Sequence, residues 1–412
     1  MKILILGGGL IGVCSAYFLQ KSGHDVTVID RQKDVGLETS FANGGQISVS
    51  YAEPWSNFSN LKKIISWIGN ENSPLLYRPK LEPHQLLWSL QFLYHSFPHN
   101  YHKNIEQLLK LAIYSRKELK KLREELDLNY QQIEKGILNF YTNVHSFSSA
   151  KKLAIFANSF GAERVIKTIQ ETLDIEPSLK YSQLSIVGSD YTKDDETGNA
   201  FIFLQKLKIE CEKIGVKFLF NSEIQDIQFN KKYLFIEKIF YKNDLSLKEI
   251  SADSYVLSLG SYSYLFAKKM NLYFPIYPVK GYSLTFPILE NQFINTVSLS
   301  DSDKKIVFTR LNNELRVAGT ADFDSYNLDI NKKRMDMLLT RVKEIFPLGL
   351  DYNNYKVWTG LRPTTPNNVP LIGKTKFQNL FINSGHGTLG WTLCVGSGKL
   401  IEQIINQKKL YT

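Results

Sequence analysis

Lys2-Ile3-Leu4-Ile5-Leu6-Gly7-Gly8-Gly9-Leu10-Ile11-Gly12 stands at the start of the sequence. After Lys2 the run to Leu6 is apolar without a break. Such a run suits a strand covered on both faces, as in a parallel sheet. Residues 13–22 then read as a helix with small residues early, and Gly23 ends it. Asp25-Val26-Thr27-Val28-Ile29-Asp30 reads as a second strand. The three pieces make a βαβ unit.

Within this unit Gly7-x-Gly9-x-x-Gly12 has its full context. A strand precedes it, a helix follows, and Asp30 lies 18 residues past Gly12 at the end of the second strand. Gly7 would allow the tight turn, Gly9 the approach of a pyrophosphate to the backbone, and Gly12 close packing of helix on strand. Free N–H groups and the helix dipole here favour a phosphate anion, with Leu10 and Ile11 in the turn. Asp30, followed by Arg31, would accept hydrogen bonds from ribose hydroxyls. The pattern predicts a bound dinucleotide. An acid at this position serves FAD or NAD. The return of the chain near its end favours FAD: Leu380-Phe381-Ile382-Asn383 reads as a strand, Gly385-His386-Gly387 as a turn, and residues 388–405 as a helix. That helix N-terminus could face the flavin and stabilise negative charge on it.

Outward from these ends the chain is mixed. Residues 42–83 read as loops with a short helix around Leu61 to Ile68. The apolar, aromatic segment 84–97 lies between Pro83 and Pro98 and fits a core helix better than a helix lying in lipid. Residues 101–126, Phe201 to Ile214 and 331–346 read as helices, and Val216 to Phe220 and Tyr255 to Leu259 as strands. Gly281 to Phe286, Lys305 to Arg310 and Glu314 to Gly319 read as antiparallel strands. The expected fold is α/β (α+β overall). A Rossmann-like FAD-binding domain (1–50, 185–270 and 371–412) is interleaved with a substrate domain on an antiparallel sheet (51–184 and 271–370).

Composition narrows the function. Of 412 residues, 43% are hydrophobic and 22% charged, which excludes disordered and fibrous classes. Three cysteines are too few for a disulfide framework or a thiolate zinc site, and no metal site is expected. The net charge is +10, yet no basic run exceeds three residues, so nucleic acid is not an expected partner. No stretch reaches the ~18 apolar residues of a membrane span.

A set of segments then carries a resemblance. Thr39-Ser40-Phe41-Ala42-Asn43-Gly44-Gly45-Gln46-Ile47-Ser48 resembles the flavin-contacting loop of D-amino-acid oxidase-type FAD-dependent oxidoreductases. Tyr51-Ala52-Glu53-Pro54-Trp55, Asp195-Glu196-Thr197-Gly198, Leu259-Gly260-Ser261, Tyr277-Pro278-Val279-Lys280-Gly281-Tyr282-Ser283, Trp358 to Pro366 and Gly385 to Thr392 agree, in family order. Phe41 and Gly44 depart, standing where alanines are common. The resemblance implies FAD and oxidative deamination of a D-amino acid, D-alanine foremost, with electrons passed to a respiratory acceptor. It also implies a cytoplasmic protein, peripheral on the inner membrane, with a partner subunit or a second copy. The cofactor contacts it suggests, beyond the first glycine loop, are Thr39, Ser40, Asn43, Gly44, Gly45, Gln46, Ile224, Gly260, Gly385, His386, Gly387, Thr388, Leu389 and Gly390.

The chemistry asks for few groups. Hydride must pass from Cα to flavin N5, the amine must be neutral, and the carboxylate must be held. Arg offers a bidentate fork for a carboxylate. Arg362 is the foremost candidate, with a salt bridge between domains as its alternative role; Arg310 and Arg316 are the reserves. Tyr51 and Tyr282 could supply pocket hydroxyls. His386 could touch flavin or substrate, or cap the turn after it. Lys280 could line the flavin's rear face or cap a strand. Two other readings stay open: an oxygen-using glycine, sarcosine or proline oxidase of the same fold, and a non-catalytic flavin-binding subunit.

Overall fold

The computed structural model describes residues 1–57, 67–71, 73–243 and 246–409. The helix expected around Leu61 to Ile68 lies almost wholly outside them.

One six-stranded sheet carries the nucleotide unit. Its order is Leu371–Lys374, Leu380–Ser384, Ser254–Leu257, Lys2–Leu6, Asp25–Ile29, Lys217–Leu219, parallel except at the Leu371–Lys374 edge. Helix Leu10–Lys21 connects the first two strands of the chain and buries Val13, Cys14, Ala16 and Tyr17. Helices Ala200–Lys213 and Gly390–Lys409 pack against it. The continuous apolar runs are explained by this cover.

A second, larger sheet is mainly antiparallel. Tyr277–Pro287 pairs with Glu314–Phe323 on one side and Lys356–Thr364 on the other; Ile306–Leu311, Ser298–Asp301, Ile137–Tyr141, Gly188–Thr192 and Val165–Lys167 extend it. Helix Lys332–Ile345 covers one face through Leu338, Val342 and Ile345. A separate antiparallel sheet, Ser222–Asn230, Phe235–Asn243 and Ser246–Ile250, was not expected from the sequence.

Two elements cross the expected domain boundaries. Gly188–Thr192 pairs with Ile137–Tyr141 in the large sheet, although it lies past residue 185. Helix Pro98–Leu126 puts Leu119 and Leu122 into the core beneath the nucleotide sheet, although it lies within 51–184. Both pairings are long-range, and no local pattern announces them.

The apolar segment 84–97 forms helix Pro83–His95, with Pro at its first position where its missing N–H costs nothing. The core expectation holds for one face only. Trp88 and Phe92 are buried, and the Trp88 indole N–H donates to Thr364 O at 2.9 Å. Leu86, Leu87, Leu90, Leu93 and Tyr94 are exposed.

Candidate active site

A cavity of about 760 Å³ runs between the two large sheets. Of the expected site residues, all but Gly12 and Gly385 line it. Gly12 faces the strand instead: a Cβ there would lie 1.9 Å from Gly7 O. Gly385, with φ +87°, turns the chain from the last strand into the helical turn.

At one end, the glycine loop is built as its spacing requires. Gly7 has φ +109°, and a Cβ on it would meet Ser258 O at 2.5 Å. Gly9 caps helix Leu10–Lys21 with no side chain, and no acid stands in the first turn. A Cβ at Gly9 would meet nothing closer than Ser40 Oγ at 3.6 Å, so this amide edge is open to a phosphate. Ser40 Oγ accepts from Leu10 N at 3.3 Å. Asp30 has a task the sequence did not suggest: it accepts from Gly8 N at 2.6 Å and from Gln32 N at 2.8 Å. The carboxylate thus fixes the loop while lining the cavity; burial raises its pKa. Arg31 is committed to Glu38 at 2.6 Å and lies 4.1 Å over the Tyr262 ring.

The loop 39–46 crosses the middle. Thr39 Oγ1 donates to Leu361 O at 2.9 Å, and Asn43 Oδ1 accepts from Gly45 N at 3.0 Å. Gln46 Nε2 donates to Ser298 Oγ and Ser300 Oγ, tying the loop to the large sheet. Gly44 is explained by its neighbour: a Cβ would lie 2.7 Å from Val307 Cγ2. Phe41 is exposed and meets Phe201 edge-on at 5.1 Å. Opposite this loop, the turn Gly387–Leu389 and the first turn of helix Gly390–Lys409 face the cavity.

His386 stands at the N-cap of the turn after it, but its side chain makes no capping bond there. Nε2 is 3.0 Å from Ser397 Oγ, inside the last helix, while Nδ1 is buried with no partner. Burial pushes its pKa down to about 3, so the ring is neutral near pH 7.

Arg362 lines the same cavity. Its Nη1 donates to Thr320 O at 2.8 Å. Among the described residues it forms no ion pair, which removes the inter-domain salt bridge as its role. Burial lowers its pKa to about 10, which still leaves it cationic near pH 7. The guanidinium lies across a neighbouring glycine: a Cβ on Gly281 would fall 2.2–2.3 Å from Arg362 Nη1, Cζ and Nη2. Gly281 pairs with Gly360, whose own Cβ space is filled by the Trp358 ring. Two cross-strand glycines therefore form a floor carrying a cation and an indole side by side. The sequence showed Gly281 within a motif but gave no reason for it.

The reserve arginines are used elsewhere. Arg310 donates to Asn312 O and Asn291; Arg316 donates to Thr285 Oγ1 and Asn43 O, and neither lines the cavity. Lys280 Nζ donates to Asp329 O, in the loop before helix Lys332–Ile345, at 2.9 Å; it caps no strand and lies outside the cavity wall. Both tyrosine hydroxyls are engaged. Tyr282 OH accepts from Asn331 N at 3.3 Å. Tyr51 OH donates to Asp190 at 3.0 Å, lies 2.8 Å from Tyr141 OH and accepts from Arg164. Arg164, buried and paired to Glu53 and Asp190, holds this wall; its partners are scattered in sequence and gave no signal.

A family profile described as "FAD dependent oxidoreductase" matches residues 2–404. The chain belongs to that family. The open helix terminus, the loop held by Asp30 and the orphaned His386 Nδ1 fit the FAD its members depend on. The chain is similar to a D-amino acid dehydrogenase of Dechloromonas aromatica (strain RCB), 42% identical over 99% of this chain and 98% of the relative. It is also similar to one of Neisseria meningitidis, 36% identical over 99% and 96%. Among solved structures, L-proline dehydrogenase from P. horikoshii shares the fold with a TM-score of 0.75 at 17% identity, covering 99% of this chain and 93% of that one. Glycine oxidase from Geobacillus kaustophilus does so with 0.75 at 18% identity, covering 98% and 94%.

The glycine floor gives a first prediction. Gly281→Ala meets only the mobile end of a side chain, so the protein should fold and keep its flavin. The displaced guanidinium should raise KM for an amino-acid substrate roughly tenfold, as overpacking by one methyl costs about 1–3 kcal/mol. Steady-state kinetics beside the flavin spectrum checks this; an unchanged KM would remove the floor's role.

Proposed function

We propose that the protein oxidatively deaminates D-amino acids, D-alanine among them, to 2-oxo acids and ammonia, and passes the electrons to a respiratory-chain acceptor. The observation that carries this reading is Arg362, a cation with no ion pair among the described residues, which lines the same cavity as the glycine loop. Bound FAD supplies the two-electron acceptor for hydride from Cα.

The chain's residues do the rest. The amide edge at Gly9–Ile11 would hold the pyrophosphate, and Asp30 the ribose. Loop 39–46 and the turn Gly387–Leu389 would hold the flavin ring from two sides, with the last helix N-terminus favouring negative charge there. Arg362 would hold the substrate carboxylate with a fork that its Thr320 contact leaves open. Tyr51, pinned by Arg164 and Asp190, and Trp358 would wall the site. The names of the curated relatives support a dehydrogenase over an oxygen-using oxidase. No helix among the described residues is long and apolar enough to cross a membrane. A membrane-borne acceptor would be met at the bilayer surface, by this chain alone or with a partner subunit or second copy.

The test is anaerobic addition of D-alanine to the FAD-loaded protein. The visible flavin band should bleach with D-alanine and stay with L-alanine. A band untouched by any D-amino acid would overturn the reading. In air, turnover with a dye acceptor should exceed hydrogen peroxide release; the reverse would make the protein an oxidase.

A further inference from the structure

We infer that the outer face of helix Pro83–His95 is a docking surface for an anionic lipid bilayer. This deepens the reading of a membrane-borne acceptor by naming the surface that meets the membrane.

The helix is anchored from within and bare outside. Trp88 and Phe92 sit in the cluster with Tyr277, Val279 and Phe323, and His84 Nε2 lies 2.9 Å from Ile276 O. The outward stripe follows helical spacing: Leu86, Leu90 and Leu93, running on into Phe97, are 63%, 55%, 46% and 54% exposed. Leu87 and Tyr94 flank it, and Leu81 beside it is fully exposed. Scattered exposed leucines are ordinary, but a continuous stripe on one helix marks a surface that something covers.

Charge selects what covers it. No acidic residue lies between Glu82 and Glu106; that stretch holds Lys103 and four of the chain's seven histidines. His99, His102 and Lys103 are exposed at the end of the stripe. The chain as a whole carries +10. An apolar ridge whose helix carries no acid beyond its N-cap, Glu82, on a basic protein, is the pattern of a helix lying in an anionic interface. Tyr94 and Phe97 are the residue types that favour that depth. The geometry also serves the chemistry. Phe92, on the inner face of this helix, lines the cavity, so the bilayer would lie one helix thickness from the site.

Co-sedimentation of the FAD-loaded full chain with vesicles tests this. Wild type should pellet with phosphatidylcholine vesicles containing phosphatidylglycerol and far less with phosphatidylcholine alone or in high salt. The double variant Leu90→Glu/Leu93→Glu should lose at least about tenfold of the bound fraction while its dye-linked turnover and flavin spectrum are unchanged. A wild type that stays in the supernatant, or a variant that binds as well, overturns the proposal. So does a wild-type dimer in light scattering that the same variant converts to monomer, since the stripe would then be a subunit interface. Dye-linked turnover reads the deamination separately, so either reading can fail alone.

Discussion

Arg362→Ala is expected to retain its flavin and to lose roughly 10²–10³-fold in kcat/KM for D-amino acids, because a charge-assisted pair in a desolvated site is worth about 3–4 kcal/mol when one partner is removed. The loss should fall mainly on KM, since the carboxylate is held both before and during hydride transfer. Arg362→Lys should recover only part of it, because an ammonium offers a point charge in place of the planar fork. The alanine variant should bind FAD normally, as the one hydrogen bond of the Arg362 guanidinium among the described residues goes to Thr320 O and none goes to the glycine loop. Turnover equal to wild type would exclude Arg362 as the carboxylate partner. Loss of flavin together with turnover would make it a structural residue.

Gly12→Ala should give a chain that cannot hold FAD. The added methyl would sit 1.9 Å from Gly7 O and 3.4 Å from Ile5 Cγ2. Unlike the overlap at Gly281, this one meets backbone, and no side chain can swing aside. Helix Leu10–Lys21 would have to lift from strand Lys2–Leu6, which also displaces the amide edge at Gly9–Ile11. The expected cost is roughly 3 kcal/mol or more in stability. Absorbance at the flavin band per mole of protein, with thermal unfolding, reads both effects. A variant with full flavin content would mean that helix and strand are not packed as closely as described.

These two residues differ in how visible they were. Gly12 was legible because the glycine spacing, the strand before it and Asp30 after it all lie within about thirty residues of local pattern. Arg362 was legible from chemistry, but its floor was not: Gly281 lies eighty-one residues away and meets it only through strand pairing. The same limit hid strand Gly188–Thr192, whose polar sequence is buried by Ile137–Tyr141 and not by any pattern of its own. The three-stranded sheet from Ser222 to Ile250 is largely exposed and rich in Lys, Glu and Gln, so its alternation is faint. Helix Pro83–His95 misled for the opposite reason. It is apolar on both faces, and periodicity cannot tell a helix buried all round from one with a second face left bare.

The order of strands in the nucleotide sheet has a consequence for how the protein is made. Strand Lys2–Leu6 lies next to Ser254–Leu257, which in turn lies next to Leu380–Ser384. The Asn383 amide donates to Ser15 Oγ at 3.0 Å, and Gly398 packs where a Cβ would touch the Cys14 backbone. Helix Leu10–Lys21 is therefore completed by helix Gly390–Lys409, a partner far along the chain. Val13, Cys14 and Tyr17 share their core cluster with Trp391, Cys394 and Val395, so the cover of the first helix depends on the last. The crevice is thus expected to form only once these distant segments have met, a long-range closure that a folding chain reaches late.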